Sequence, residues 1–206
     1  MNAPQRTVEW FAERAGHVTA SRVADVIAKT KSGPSASRQN YLAQLVAERL
    51  TGVPAESFNN AAMQWGTDTE PFARAAYELL IDDTVSEVGF IKHPSIEWSG
   101  ASPDGFISDG LVEIKCPNTA THIDYLLGQD VPSKYKPQMA WQIACTGREW
   151  CDFVSFDPRM PPDFRLFIVR YVPESGYIET LESEVSKLLE EVEQTINKLN
   201  SLKGKK

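Results

Sequence analysis

Cysteine is scarce: Cys116, Cys145 and Cys151 cannot all pair, and none stands in a Cys-x-x-Cys spacing. That argues against a disulfide framework and a thiolate metal cluster, and reduced thiols in a cytoplasmic chain are expected. Histidine is equally scarce, and His17, His93 and His122 are spaced too widely to suggest a catalytic set. No run approaches the ~20 apolar residues that cross a bilayer, and Met1 to Arg14 has no signal-type apolar core. No membrane role is expected. An excess of positive charge is missing too, since 28 Asp plus Glu outnumber 21 Lys plus Arg for a net charge of −7. This disfavours a protein that coats nucleic acid through bulk charge, but not one that grips phosphate at a local patch.

What is present is an ordinary globular composition, 206 residues with 42% hydrophobic, enough for one domain over 1–206 with a real core. Charge is uneven. Residues 1–50 carry a net of +3, residues 51–100 a net of −6, and Glu174 to Glu193 a net of −6. The acidic segments read as solvated helix faces, while the opening quarter leaves room for phosphate contacts. Lys29, Lys31 and Arg38 flank or lie in a Ser/Gly/Pro loop there. They are candidates for touching phosphates of a nucleic acid, with a solvated loop as the alternative.

Hydrophobic periodicity predicts a capped helix from Val8 to Arg14, a second after Thr19, a third through Leu50, and a fourth over Ala61 to Leu80. In the fourth, Met63, Phe72, Ala76, Leu79 and Leu80 are the packing candidates, and Pro71 implies a kink or a new helix near Thr69. Strands follow at Thr84–His93, Gly105–Ile107, Leu111–Cys116, Trp150–Phe156 and Phe164–Val172. Helices are expected at Thr119–Leu127, Ser133–Cys145 and Ile178–Leu199, ahead of a Lys-rich tail. The order suggests an α/β fold with one mixed sheet and helices on its faces.

The chemistry concentrates in one hairpin. With Asp109-Gly110 as the turn, Asp104 faces Lys115 across the strands, and Glu113 and Lys115 share a face while Ile114 points away. Two carboxylates and a lysine then converge, with the Ile114 carbonyl between them. Hard oxygen ligands suit Mg²⁺, and a lysine beside it can orient water or offset charge on a phosphoryl transition state. A plain Asp104–Lys115 salt bridge is the competing reading.

Asp104 with Glu113-Ile114-Lys115 resembles the signature of the restriction-endonuclease-like PD-(D/E)xK nucleases. Trp10-x-x-x-Arg14, Val18-Thr19-Ala20-Ser21, Trp65-Gly66 with Glu70, Ser102-Pro103-Asp104-Gly105, Glu113-Ile114-Lys115-Cys116-Pro117, Gln138 and Asp157-Pro158-Arg159 together resemble the bacteriophage lambda exonuclease family. The resemblance implies a restriction-endonuclease-like mixed central sheet flanked by helices. It implies a Mg²⁺-dependent (or Mn²⁺-dependent) processive 5′-to-3′ exonuclease on linear double-stranded DNA, preferring 5′-phosphorylated ends. A homotrimer ring, a single-strand annealing protein as partner, and a phage or prophage origin in a bacterial cytoplasm come with it. A structure-specific endonuclease on the same fold is the alternative.

Carried over by motif, Asp104, Glu113, the Ile114 carbonyl and Glu70 hold metal, Lys115 is the catalytic lysine, and Gln138 orients it or the water. Arg14 and Ser21 form the 5′-phosphate pocket, and Met63 is a wedge at the duplex end. The alternatives are an ion pair for Arg14, an N-cap for Ser21, a helix-start acid for Glu70, a plain helix position for Gln138 and core packing for Met63. Only nine residues precede Trp10, so a subunit contact through a long N-terminal extension is not expected.

Overall fold

The computed structural model describes residues 3–31, 33–55 and 60–203. The end of the Lys-rich tail lies outside them. Thr7 caps α1 (Val8–Arg14) by accepting from the Trp10 N–H, and the chain then runs through β1 (Val18–Thr19) and a 3₁₀ turn, Ala20–Arg22, into α2 (Val23–Ile27). The loop that follows holds a small antiparallel ladder, β2 (Lys29–Thr30) with β3 (Gly33–Pro34). Ser35 then caps α3 (Ala36–Thr51), so Arg38 lies in the helix rather than the loop.

α4 (Ala61–Ile81) runs unbroken through Pro71, so no new helix starts near Thr69. Its sheet-facing stripe is Thr69, Ala73 and Tyr77, four residues apart, small enough at two positions to let the helix settle closely. Of the packing candidates, Ala76 is partly buried against that stripe, but Phe72, Leu79 and Leu80 lie on the outer side and are exposed. The tyrosine wins the inner stripe because its hydroxyl donates to the buried Asp152 carboxylate at 2.9 Å.

β4 (Ile91–Lys92) and β5 (Ser99–Ala101) join β1 in a three-stranded sheet, order β1-β5-β4. Of the strand expected over Thr84–His93, β4 and an isolated bridge at Ser86 form, while β1 and β5, two and three residues long, are too short to show a sequence pattern. The main sheet has the order β6-β7-β8-β9: β6 (Gly105–Ile107), β7 (Gly110–Lys115), β8 (Cys151–Phe156) and β9 (Leu166–Tyr171). It is mixed, with β7 and β8 parallel and both edges antiparallel. A parallel pair needs a long crossover. Here α5 (Thr119–Gly128), a 3₁₀ turn and α6 (Lys136–Thr146) provide it. The expectation of a single sheet is thus replaced by a mixed main sheet and two small ladders.

Strand alternation divides the core. Val112, Ile114 and Val154 pack under α4 with Ala73 and Tyr77. Leu111, Phe153 and Phe167 face the other way, toward α6 and α7 (Tyr177–Lys203). The α7 stripe Leu181, Val185, Leu188 and Val192 is fully buried, each side chain contributing roughly 1.5–3 kcal/mol.

The acids of α7 meet the cations of the opening quarter. Glu191 takes a two-pronged hydrogen bond from Arg38 (2.8 and 2.8 Å), and Glu184 pairs with Lys29 at 3.4 Å. Much of the N-terminal positive charge therefore binds α3 and the loop to the last helix.

Asp157, at the end of β8, ties four segments together. It accepts from Arg159 Nε (2.7 Å), Arg159 Nη2 and N (3.0 Å each), and the Thr119 hydroxyl (2.6 Å). Arg159 in turn donates to the Pro117 carbonyl and lies over the Trp65 ring. Burial opposes ionisation of Asp157, but the hydrogen bonds from Arg159 and Thr119 overcome it and hold the carboxyl down at about 2. A carboxyl lowered by folding from about 3.9 stabilises the fold above that pH by about 2 kcal/mol, and the contribution fades as pH falls toward the folded value. Asp157→Asn should therefore lower stability by about 2 kcal/mol at neutral pH, with the gap to wild type closing in acid. Chemical denaturation across that range measures it. A gap independent of pH would refute the ionic origin.

Candidate active site

β7 carries Glu113 into the middle of the sheet, where it is 1% exposed. A buried carboxylate needs donors on both oxygens. Lys115, two residues on and on the same face, donates from Nζ to Oε1. Gln138 Nε2 donates to the same oxygen at 2.6 Å, and Gln142 Nε2 donates to Oε2 at 2.5 Å. The two glutamines stand one turn apart on α6, so they share a face. Gln142 was not singled out by sequence; the i, i+4 glutamine pair is the signal that could have found it. Its carbonyl oxygen also accepts from the Cys151 thiol at 3.9 Å.

Asp104 precedes β6 and accepts from the Ile114 N–H at 2.6 Å. The hairpin register corrects the sequence reading. Phe106 pairs with Leu111 and Ile107 with Gly110, so the turn is Ser108-Asp109, and Asp104 does not pair with Lys115. Gly110 is needed because the Trp150 ring fills the space of a Cβ (2.2 Å), not for its backbone angle; the positive φ falls on Ser108. The slip is two residues, which leaves every side chain on its expected face. Glu113 and Lys115 therefore still converge with Asp104. Gly105 is fixed by close approach, since a Cβ there would lie 2.1 Å from Val85.

Glu70, on α4, joins them. With Asp104 it lines a cavity of about 320 Å³, and with Ile114, Lys115, Met63 and Tyr135 a second of about 540 Å³. Arg6 Nη2 donates to its Oε2, and Arg74 Nη2 to its Oε1 at 3.3 Å. Burial, then the Glu113 charge, push the Asp104 carboxyl well above the usual range, and Glu70 adds to this against the pull of Lys115. Burial opposes the Lys115 ammonium, but Glu113 and Asp104 overcome it, raising the lysine above its ordinary value. Burial, then the charges of Glu70 and Asp104, push the neighbouring Cys116 thiol up to about 12, so it is no nucleophile.

Among the described residues, no three His, Cys, Asp or Glu side chains form a ready metal cage. The donor chemistry nevertheless fits a hard divalent cation. Burial, with the charges of Glu113 and Glu70 added to it, disfavours the Asp104 carboxylate unless a cation compensates, and the Ile114 main chain lies against Asp104. Mg²⁺ is characteristically held by one or two carboxylates with the remainder of its shell from water and phosphate.

A third pocket, about 320 Å³, gathers Arg14, Ser21, Tyr41 and Met63. The Trp10-x-x-x-Arg14 spacing places both residues on one side of α1. Arg14 lies 4.0 Å over the Trp10 ring, and both donate to the Ser102 hydroxyl (3.1 and 3.0 Å). Burial lowers the Arg14 pKa to about 10, against the pull of Tyr41 and Glu48, and it stays cationic. Ser21 is exposed in the 3₁₀ turn, 3.4 Å from the Thr19 hydroxyl. Met63 is 51% exposed and lines this pocket and the Lys115 cavity, so it is not core. Lys29 and Arg38 are engaged by α7, Arg38 being 5% exposed, while Lys31 is exposed in the turn between β2 and β3. His122 is structural, sharing hydrogen bonds with the Ser155 hydroxyl (2.7 Å) and the Phe164 carbonyl (2.8 Å).

A mixed sheet presenting two acids, a lysine two residues past the second, and a helix glutamine on that acid defines a restriction-endonuclease-like nuclease core. The chain belongs to the YqaJ-like viral recombinase family, whose model matches residues 9–149. It is 51% identical to the alkaline exonuclease LHK-Exo of Laribacter hongkongensis, covering 97% of this chain and 99% of that one with a TM-score of 0.89. The same enzyme solved in complex with dAMP gives 0.90 at the same identity and coverage. A phage-related exonuclease from Haemophilus somnus 129PT shares the fold at 15% identity (TM-score 0.72, 89% and 96% covered). No curated protein sequence matches this chain.

The clasp on Glu113 predicts that Gln142→Leu costs roughly 1–3 kcal/mol by leaving a buried oxygen without a donor. In a Glu113→Gln background, where that oxygen carries no charge, most of the cost should vanish. A double-mutant cycle by equilibrium denaturation measures the coupling, and additive effects would refute the clasp.

Proposed function

We propose that this chain is an exonuclease that degrades linear double-stranded DNA from 5′-phosphorylated ends in the 5′-to-3′ direction, leaving 3′ single strands for phage-type recombination. One observation carries the reading. The Ser102-Pro103-Asp104 segment places Ser102, which holds Arg14, two residues from the acid heading the cutting centre. A terminal-phosphate pocket and a cleavage site are thus built on one short piece of chain. The 51% identity to LHK-Exo, an alkaline exonuclease crystallised with a nucleoside monophosphate, supports it.

Magnesium, or manganese in its place, would be held by Asp104, Glu113, the Ile114 carbonyl and Glu70, and would supply Lewis-acid polarisation of the scissile phosphate. The chain's own groups do the rest. Arg14 presents a planar fork to the 5′-phosphate, and Ser21 adds a hydroxyl at the pocket mouth. Lys115, kept cationic by Glu113 and Asp104, offsets charge building on the phosphoryl group rather than acting as a base. Gln138 and Gln142 fix Glu113 so that its oxygens need no reorganisation. Met63, between the two cavities, wedges the first base pair apart. Lys31 remains available for a backbone phosphate; Lys29 and Arg38 would first have to leave α7.

Family kinship supports a homotrimer ring, processive movement, an annealing protein as partner and a bacterial cytoplasmic setting encoded by a phage or prophage. No described helix is long and apolar enough to cross a membrane. A structure-specific endonuclease would use the same core, but the Arg14 pocket gives it no explanation.

The test compares linear duplex bearing 5′-phosphate, linear duplex bearing 5′-hydroxyl, and closed circles, with Mg²⁺ and with chelator. Mononucleotides should appear fastest from the phosphorylated end, slower from the hydroxyl end, and not from circles or with chelator. Lys115→Ala should cut at least about 10²-fold more slowly while still binding duplex. Rapid linearisation of circles would overturn the exonuclease reading.

A further inference from the structure

Arg6 stands outside every recognised motif, yet it reaches the cutting centre. Its backbone adopts φ of +69°, in the left-handed region, which is unfavourable for a non-glycine residue. Such a conformation persists only where neighbours impose it. They do: Gln5 Nε2 donates to the carbonyls of Val88 and Pro103 (2.8 Å each), the second adjoining Asp104, while the Thr7 cap fixes the following residue. The result is that Arg6 lines the cavity that holds Glu70 and Asp104 and also the one that holds Glu70, Ile114 and Lys115.

A phosphate approaching this centre meets Glu70 and Asp104, which line its cavities, and the ammonium of Lys115 is already bound to the buried Glu113. Arg6 donates to Glu70 through Nη2, and a guanidinium has five N–H donors. Its side chain is 47% exposed, and Glu70 engages it through Nη2. Arg74 already donates to the other Glu70 oxygen, so neutralising Glu70 does not by itself account for the strained placement.

We infer that Arg6 is a substrate-binding residue of the cutting centre, its guanidinium clamping a backbone phosphate of the cleaved strand while Gln5 holds it over the cavity. This rests on the reading of Asp104, Glu113 and Lys115 as that centre.

The experiment uses the full chain and a blunt, 5′-phosphorylated duplex oligonucleotide. Binding is followed by fluorescence anisotropy in chelator across a salt series, and cleavage in Mg²⁺. Arg6→Ala should weaken binding about tenfold and reduce the slope of log K against log salt by about one, with little change in Tm. Arg6→Lys should keep the slope but not the affinity, because a point charge replaces the fork. Unchanged binding and slope in Arg6→Ala, or a Tm loss with no slope change, would overturn the assignment. If Arg6→Ala does not fold, Arg6→Lys decides: unchanged affinity refutes the clamp, and a severalfold loss at constant slope supports it. Lys115→Ala run in parallel separates the two readings, because continued cleavage there refutes the centre itself whatever Arg6 does.

Discussion

The enclosure of one carboxylate organises this molecule. Glu113 sits where a sheet would normally place a leucine, and an isolated charge there would cost several kcal/mol. The fold answers by bringing three donors to it, one from its own strand and two from α6. That demand explains the crossover. α6 must pass over β7 with two glutamines on its inner face, and the parallel β7–β8 pair is what a helical crossover of that kind closes. The acid is thereby rigid before any substrate arrives, which is what an electrostatic centre needs.

Charge is arranged by the same economy. The net of −7 first looks adverse to DNA, and the +3 opening quarter looks like the compensation. In the fold that quarter splits. Lys29 and Arg38 go to the acids of α7 and build the helical layer. Arg14 instead stacks on Trp10 and bonds a neutral hydroxyl, so its charge is oriented but not cancelled. Arg14 thus stands as an oriented cation one short segment of chain from Asp104, apart from the charge that builds the helical layer.

How much of this was legible in the sequence follows from the range of each interaction. The long helices and main strands carry their own periodicity, so α1, α7 and β6 to β9 lie within a few residues of expectation. The hairpin register slipped by two because the Asp-Gly dipeptide suggests a turn, whereas Trp150, forty residues away, is what requires Gly110. Parity protected the chemistry, since a slip of two keeps faces and a slip of one would have inverted them. The outer apolar residues of α4 misled for a related reason: Phe72, Leu79 and Leu80 are more hydrophobic than Thr69 and Ala73, but closeness to the sheet favours the small residues. Arg38 was misplaced because its partner, Glu191, is 153 residues distant. Gln142 and the Ser102 bridge are three-dimensional facts with only faint local signals.

The Ser102-Pro103-Asp104 segment has one more consequence. The side chain that steadies Arg14 and the acid that heads the cutting centre are separated by two peptide units, whose span cannot exceed about 7 Å. Proline locks one of the intervening torsions, so the interval resists stretching. Under the proposed reading, the residue that steadies the end-holding cation and the acid that heads the cutting centre cannot drift apart independently, because one short covalent span couples their positions.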